Sequence, residues 1–342
     1  MNIIFTLCSN NYLAQAKVLT DSSARFSPDS KIIIGLIDEL SSQIDYNYFA
    51  PAEIIPIKEL QIQRVQELFE MYDIVELNTS VKATYFKYLL VKFPDVKKII
   101  YFDPDIEVFE SLDRLLNELE TSDIILTPHI LTPIRPDDYQ PHENLFLQHG
   151  IFNLGFIGVN SSKDNVKRFL DWWEARILYQ CFKIMEGGFF VDQLPVNLVP
   201  IFFKKVKLLE SYGYNMAPWN LHERKLVKAA NGAYSLQDGS PLYFYHFSSY
   251  NYKKPKELCK SSYSRSNFLN RTDLLNIYQT YHKNLLDNRV TFFESIPCSL
   301  LRTRSRDIQP ITLKYKLSFW IRQFIPPVIG KVRTKILKTK NG

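Results

Sequence analysis

The sequence has few cysteines and glycines and no long apolar run. Its cysteines stand far apart with no Cys-x-x-Cys pair, so neither a disulfide framework nor a zinc site is expected. No apolar run is long enough to span a bilayer, and the N-terminus lacks the basic start of a signal peptide. With only 11 glycines in 342 residues, low-complexity sequence is excluded. These absences predict a globular cytoplasmic protein.

Positive charge is concentrated at the end of the chain. Residues 300–342 contain 11 Lys and Arg against one acid, whereas the remainder has 31 basic and 35 acidic residues. Beyond a linker, Trp320 and Phe324 belong to an apolar stripe beside basic residues, which is typical of a helix that lies on an anionic membrane. Packing of a last helix on the domain is the alternative. We therefore predict a catalytic domain over residues 1–300 and a basic amphipathic tail over residues 301–342.

Strand-like and helix-like segments alternate through the first half of the chain. The predicted strands cover 3–7, 31–38, 53–57, 97–103, 123–129 and 152–160. This alternation predicts an α/β fold with a mostly parallel sheet and helices on both faces. Ligands of such sheets collect beyond the carboxyl ends of the strands, where Asp38 and Asp103 lie.

Two carboxylates close the strand in the segment "IIYFDPDIEVF", residues 99–109. Pro104 has no N–H to donate, so the strand ladder ends there. Carboxylates as close as those of Asp103 and Asp105 repel unless donors or a cation sit between them. Either both side chains point into water in a turn, or they hold a hard cation such as Mg²⁺ or Mn²⁺.

The segment that contains this Asp-x-Asp resembles the metal-binding segment of GT-A-fold glycosyltransferases of family 8. Further segments match the family in order, and the resemblance extends over residues 3–255. They read "TLCSNNYLAQA", "FNLGFIGVN", "FVDQLPVN", "YNMAPWNLHER" and "YHFSSYNYKKP". The resemblance implies a GT-A-like mixed sheet and a glycosyltransferase that uses a nucleotide sugar.

The same resemblance implies a set of site residues. His246 would join Asp103 and Asp105 as a ligand of Mn²⁺ or Mg²⁺. The residues expected to bind the donor are Thr6, Cys8, Ser9, Asn11, Tyr12, Asp38, Asn153, Gly155 and Lys253. The residues expected to act at the sugar are Asp192, Gln193 and Lys82.

The match departs from the family pattern in two places. Ser249 stands where the family has a glycine after the histidine, and Lys254 is an alternative to Lys253. Lys82 is favoured over Lys87 because it opens its helix. Asn220, His222 and Arg224 are expected either to recognise the acceptor or to form a solvated loop, and Trp172 and Trp173 are expected to pack within a helix.

The resemblance implies metal-dependent, retaining transfer of a hexose from a nucleotide sugar, expected to be a UDP-sugar. The expected acceptor is a surface polysaccharide or a lipid-linked glycan. With the basic tail, this predicts a protein on the cytoplasmic face of the inner membrane. The alternatives are a sugar-phosphate nucleotidyltransferase and a non-catalytic nucleic-acid-binding protein that uses the basic tail. The former would need a glycine-rich loop after the first strand, which "CSNNYLAQA" lacks. The acidic body argues against a nucleic-acid-binding protein, so no nucleic-acid partner is expected.

Overall fold

The computed structural model of the protein describes residues 1–260 and 263–304. The predicted tail lies outside the described residues except at its first positions. The strands are β1 (Asn2–Cys8), β2 (Ser30–Leu36), β3 (Glu53–Pro56), β4 (Lys98–Phe102), β5 (Ile106–Val108), β6 (Ile124–Pro128), β7 (Phe152–Asn160), β8 (Lys183–Ile184), β9 (Phe189–Phe190), β10 (Val206–Leu208), β11 (Leu226–Lys228), β12 (Tyr234–Leu236) and β13 (Phe244–His246). The α-helices are α1 (Leu13–Phe26), α2 (Val65–Met71), α3 (Ile74–Ser80), α4 (Lys82–Lys92), α5 (Asp113–Thr121), α6 (Glu143–His149), α7 (Asp164–Ile177), α8 (Val199–Phe202), α9 (Leu275–Asp287) and α10 (Val290–Glu294).

Seven strands form one mixed sheet in the order β10-β6-β7-β4-β1-β2-β3. The β1–β2, β1–β4, β2–β3 and β6–β10 pairs are parallel. Strand β7 is inserted antiparallel between β4 and β6. This arrangement confirms the predicted α/β fold class with a mostly parallel sheet.

The sheet is buried on both faces because its apolar residues alternate in direction. In β1, Ile4 packs into one core layer, whereas Ile3 and Phe5 pack into the other. Helices α1, α5 and α9 contribute to the first layer, and helices α3, α4 and α7 contribute to the second. Because both faces of the sheet are covered, side chains on both faces of its strands must be apolar, which explains the uninterrupted apolar runs.

Helix α7 illustrates how spacing in the sequence sets the packing. Its buried residues recur at helical intervals, and Trp173 is fully buried against Phe169. The Trp173 indole N–H donates to the backbone oxygen of Asp192 at 2.9 Å. Trp172 contacts Phe203 at the edge of the same layer. The prediction that both tryptophans serve helix packing agrees with these contacts.

A separate antiparallel pair of short strands lies beside the turn that follows β4. Strands β5 and β13 pair so that Ile106 faces His246 and Glu107 faces Tyr245. Strand β5 begins shortly after β4 ends, which brings a segment from late in the chain beside the end of β4. Within residues 1–260 and 263–304, no helix is long and apolar enough to cross a bilayer.

Candidate active site

The two aspartates of the Asp-x-Asp segment lie in the turn between β4 and β5. The Asp103 backbone N–H donates to the Gly155 oxygen at 2.7 Å, which extends the contact between β4 and β7 by one residue. The Ile106 N–H donates to the Asp103 oxygen at 3.1 Å and tightens the turn. The turn leaves both carboxylates partly accessible at the carboxyl end of β4.

His246 reaches these aspartates through the pairing of β5 with β13. The Phe247 N–H donates to the Asp105 backbone oxygen at 2.8 Å, so the imidazole is held beside the turn. The His246 Nε2 atom lies 3.1 Å from Asp105 Oδ1 and 4.0 Å from Asp103 Oδ2. One ligand atom from each of the three residues lies within 4.8 Å of the others. Two carboxylates and an imidazole in this arrangement fit one divalent cation.

The charge balance of this cluster also suits a cation. Burial lowers the pKa of His246, but the Asp105 and Asp103 carboxylates outweigh burial and hold the pKa above its usual value. The same carboxylates would attract a divalent ion, which needs the neutral imidazole as a ligand. A proton and a divalent ion would therefore compete for the imidazole.

Lys82 lies at the centre of a second group of charges. Its Nζ is 2.6 Å from Asp192 Oδ2 and 3.7 Å from Asp103 Oδ1, and it donates to the Leu154 oxygen at 2.8 Å. Burial raises the pKa of Asp192, although the Lys82 charge opposes this rise. Because Lys82 contacts both aspartates, it joins the cluster of Asp103, Asp105 and His246 to Asp192, the residue predicted to act at the sugar. Lys87, the weaker alternative, instead pairs with Asp171 and Glu174.

Asn153 and Gly155 on β7 lie against the same cluster. A Cβ atom on Gly155 would come within 2.6 Å of the His246 ring and 2.7 Å of Asn153 Oδ1, so the imidazole needs the glycine. Gln193 donates from Nε2 to the His149 oxygen at 2.7 Å. The structure thus brings the predicted sugar and metal residues together at one edge of the sheet.

Sequence reasoning missed two residues that orient this cluster. The Tyr101 hydroxyl donates to Asp103 Oδ1 at 2.6 Å, and its ring lies 4.1 Å from Lys82 Nζ. Tyr101 precedes Asp103 by two residues. Because residues two apart in a strand point to the same face, this spacing is the sequence signal that could have identified Tyr101. Asn215 is fully buried and donates to Asn153 Oδ1 at 3.0 Å. No local pattern distinguished Asn215, because its partner is 62 residues away.

Two of the three residues considered for acceptor recognition are buried, and recognition of the acceptor stays a prediction for all three. Asn220 is buried and donates to the backbone oxygens of His129 and Asn215. Arg224 is also buried, and its guanidinium donates to the Tyr214 backbone oxygen at 2.5 Å. The segment is not a solvated loop, because Asn220 and Arg224 are buried and hydrogen-bond to backbone oxygens of the protein. His222 is partly buried beside Glu223.

Four of the residues predicted for the nucleotide lie at the ends of β1 and β2. They are Thr6, Cys8, Ser9 and Asp38, and all four are buried. Asp38 accepts hydrogen bonds from the backbone N–H groups of Asn10 at 3.2 Å and Ser299 at 2.8 Å. Asp38 thereby fixes the turn after β1, and its contact with a nucleotide stays a prediction.

Asn11, Tyr12 and Lys253 line a cavity of about 1300 Å³. Burial raises the pKa of Tyr12, and the charges of Asp105 and Asp103 add to this rise, so the phenol lies near the metal cluster. The Lys253 ammonium is exposed and pairs with Glu294 at 2.7 Å, whereas Lys254 pairs with Glu257. Both lysines line the cavity and pair with glutamates there, and a contact of either one with the donor stays a prediction.

Comparison with known families bears directly on this site. The model of glycosyl transferase family 8 matches residues 3–172, which include β1, the turn after it, Lys82, the Asp-x-Asp segment and β7. The chain is a glycosyltransferase. The prediction that the protein is a glycosyltransferase resembling family 8 is thereby confirmed, and the cluster of Asp103, Asp105 and His246 lies in this glycosyltransferase.

Two proteins of Bacillus subtilis (strain 168) are similar to the glycosyltransferase in sequence. YfnF is 26% identical over 284 residues, which cover 82% of this chain and 90% of YfnF. YfnD is 27% identical over 207 residues, which cover 60% of this chain and 63% of YfnD. Both carry the description "uncharacterized protein".

Solved structures of other glycosyltransferases also resemble this chain. The galactosyltransferase LgtC in complex with donor and acceptor sugar analogs has a TM-score of 0.47 and 14% identity, and the match covers 87% of this chain and 98% of LgtC. The glycosyltransferase GlyE of Streptococcus pneumoniae TIGR4 has a TM-score of 0.46 and 15% identity, with coverage of 87% and 65%.

Proposed function

We propose that the protein transfers a hexose from a nucleotide sugar in a metal-dependent reaction. The observation that carries this proposal is the convergence of Asp103, Asp105 and His246 within 4.8 Å, at the end of β4 in a glycosyltransferase domain. These three residues would hold Mn²⁺ or Mg²⁺. When bound, such an ion neutralises charge on the diphosphate leaving group.

The chain's own residues would bind the donor from two sides. Asn11 and Tyr12 face the 1300 Å³ cavity and are suited to the nucleoside of a UDP-sugar. Lys253 also lines this cavity. Its ammonium would bind the donor phosphates if they replaced Glu294 as its ion-pair partner. Thr6, Cys8, Ser9 and Asp38 would then support the turn that carries the nucleoside contacts.

Lys82, Asp192, Asn153, Gly155 and Gln193 would surround the donor sugar. Asp192 is buried and held by Lys82, so it offers a fixed carboxylate oxygen rather than a mobile one. We propose that the reaction retains the anomeric configuration. The departing phosphate can take the proton of the acceptor hydroxyl, so a separate general base is not required. Trapping of a glycosylated Asp192 in a mass spectrum would distinguish a covalent intermediate from same-face attack.

The proposed acceptor is a surface polysaccharide or a lipid-linked glycan. The basic and apolar composition of residues 308–342 supports attachment to an anionic membrane, and a lipid-linked acceptor would be found there. We accordingly propose a peripheral protein on the cytoplasmic face of the inner membrane, with residues 301–342 acting as linker and tail.

A donor screen tests the proposed function. Purified protein is incubated with a panel of nucleotide sugars, with Mn²⁺, with Mg²⁺ or with a chelator, and the release of nucleoside diphosphate is measured. We expect hydrolysis of a UDP-hexose that requires the divalent ion. If chelation leaves the rate unchanged, metal dependence is wrong. If no nucleotide sugar is hydrolysed or transferred, the donor class is wrong.

A further inference from the structure

Helix α8 presents an exposed apolar surface to solvent. Ile201 is 76% exposed, Phe202 is 50% exposed and Leu198 is 42% exposed. We name these three residues the α8 patch. Adjacent apolar side chains with this exposure are unusual on the surface of a globular protein, where exposed large apolar residues are normally scattered singly.

The α8 patch is not left exposed by poor packing of its segment. Val199 and Phe203, which are close to the patch in sequence, are buried in the second core layer. The Phe203 ring packs edge-to-face on Phe169 at 5.5 Å, and Phe202 contacts Trp172 at 5.8 Å. The segment is therefore anchored by its inner residues, and Ile201 and Phe202 are held outward.

Basic residues surround the α8 patch. Lys204, Lys205 and Lys207 follow it directly and are exposed. Arg168 is exposed one helical turn before Trp172, which contacts Phe202, so the guanidinium lies on the same side. Residues 163–168 and 198–210 together contain six basic and two acidic residues. The surface thus combines apolar side chains with a net positive rim.

The α8 patch adjoins the residues predicted to act at the sugar. The 3-10 turn Leu194–Leu198 follows Gln193 directly and leads into α8. Asn197 Oδ1 accepts a hydrogen bond from the Ile151 N–H at 2.9 Å, and Ile151 immediately precedes β7. A surface that rests on the patch would therefore lie close to the sugar edge of the active site.

We propose that the α8 patch and its basic rim dock the catalytic domain onto an anionic lipid membrane. The apolar side chains would enter the boundary between headgroups and acyl chains, and the lysines would pair with lipid phosphates. The proposal extends the proposed membrane association, but it rests on the folded domain and does not depend on residues 308–342. Docking would hold the active site beside a lipid-linked acceptor.

Neither edge protection nor dimerisation accounts for the whole of this surface. Lys207 on β10 could simply protect this edge strand from pairing with another chain, but this would not place Ile201 and Phe202 in solvent. A second copy of the chain could cover the patch. Its basic rim would then meet an equally basic rim across a two-fold axis, and like charges oppose such contact.

The first test locates residue 202 relative to the bilayer in the full chain. Phe202→Trp adds a fluorophore, and its emission is compared with that of the parent on vesicles of phosphatidylglycerol and phosphatidylcholine with brominated acyl chains. We expect the added emission to be quenched. Leu269→Trp is the control, because Leu269 is 92% exposed in the segment that leads into α9. Quenching at neither position, or equal quenching at both, overturns the proposal.

The second test measures vesicle partitioning of the full chain. Ile201→Ser with Phe202→Ser should weaken partitioning by about tenfold through loss of buried apolar area. Lys204→Gln with Lys205→Gln and Lys207→Gln should weaken it in low salt, and a matched change of the exposed Lys58, Lys225 and Lys256 should have a smaller effect. Unchanged partitioning in both patch variants overturns the proposal, as does a parent dimer that either variant dissociates.

Donor hydrolysis in solution separates this inference from the proposed function. The patch residues are not placed in the catalytic machinery, so both patch variants should retain the metal-dependent hydrolysis of the parent. A parent that hydrolyses no donor but docks through residue 202 would contradict only the proposed function. A parent that is active and shows no quenching at residue 202 would contradict only the docking surface.

Discussion

At the scale of single residues, the site is organised around the repulsion between Asp103 and Asp105. Lys82, the Tyr101 hydroxyl and the His246 imidazole each offset part of that negative charge. These groups stabilise the two carboxylates before any cation binds. They also predefine where a cation would sit, since three ligand atoms already lie near one another.

Asp105→Asn should remove most of the affinity for Mn²⁺, because a neutral amide replaces a charged ligand. We expect metal binding to weaken by about 100-fold with little change in unfolding temperature. Isothermal titration calorimetry with Mn²⁺ and UDP measures this loss. Asp29→Asn is the control, since Asp29 is exposed beyond the end of α1. Parent-like binding in the Asp105 variant would remove Asp105 from the ligand set.

Asp192→Asn should reduce transfer by about 100-fold while leaving UDP affinity nearly unchanged, because the predicted role of this side chain is at the sugar. The amide oxygen can still accept from Lys82, which limits the cost of breaking a buried ion pair. Rate measurements and UDP titrations on the same preparation give both quantities. A parallel fall in rate, UDP affinity and unfolding temperature would assign Asp192 a structural role.

Glu107 predicts how the stability of the fold depends on pH. Burial raises the pKa of Glu107 to about 7, although a hydrogen bond from Asn284 opposes this rise. Because the unfolded carboxyl ionises at lower pH, Glu107 lowers the free energy of unfolding as pH rises from about 4.5 to 7, by roughly 3 kcal/mol in total. Above pH 7 this contribution is constant.

Glu107→Gln should therefore be more stable than the parent at pH 8 and nearly equal to it at pH 4. Denaturant unfolding at both pH values measures the difference. Glu210→Gln, at an exposed position, should track the parent at both. If Glu107→Gln is less stable than the parent at pH 8, the charged Glu107 carboxylate of the parent is stabilised by hydrogen bonds in the folded protein.

At the scale of elements, the site depends on three segments that meet at the end of β4. The β5–β13 pairing fixes His246 beside Asp105, and β7 supplies Gly155 behind the imidazole. Helix α4 begins at Lys82 and buries that side chain against the same place. A substitution in any one of these segments should therefore alter the geometry of the Asp103, Asp105 and His246 cluster without replacing any of the three residues.

Gly155→Ala tests the contact between β7 and β13. The new methyl group would overlap the His246 ring, so we expect about tenfold weaker Mn²⁺ binding through displacement of a ligand. Gly158→Ala is a matched control on the same strand, because its methyl group would come within 2.7 Å of Ile125 instead. Calorimetry should separate the two variants, while both lose stability in thermal unfolding. Equal Mn²⁺ affinities of the Gly155 and Gly158 variants would show that the His246 imidazole can shift without weakening metal binding.

At the scale of the whole molecule, the charge is divided between an acidic body and a basic end. Residues 1–299 have a small excess of acidic groups, and residues 300–342 carry the excess of basic ones. Such a division favours binding of the basic end of the chain to an anionic surface. The α8 patch and its basic rim add an apolar and basic surface on the folded domain itself.

Deletion of residues 308–342 should leave donor hydrolysis in solution nearly intact, since the predicted site residues end at Lys253. Vesicle flotation should show weaker binding to anionic lipids, because each lost basic residue contributes about 1 kcal/mol near the surface. Binding of the full chain should weaken as salt rises and retain an apolar remainder. Equal flotation of both forms, or unfolding of the shortened one, would favour a tail that packs on the domain.

The sequence by itself determined the alternation of strands and helices and the position of the Asp-x-Asp turn. Apolar period, strand length and Pro104 are local properties, so β1, β2, β4 and β7 were predicted close to where they lie. The resemblance added His246, Lys82 and Asp192 as companions. Their roles stay predictions.

Only the tertiary structure decided which distant side chains meet. The pairing of Lys82 with Asp192, the support of Asn153 by Asn215 and the register that sets His246 beside Asp105 all join residues far apart in the chain. The burial of Asn220 and Arg224 likewise could not be read from a polar segment. Such contacts depend on packing over the whole domain, because local sequence fixes the period of an element but not its partner.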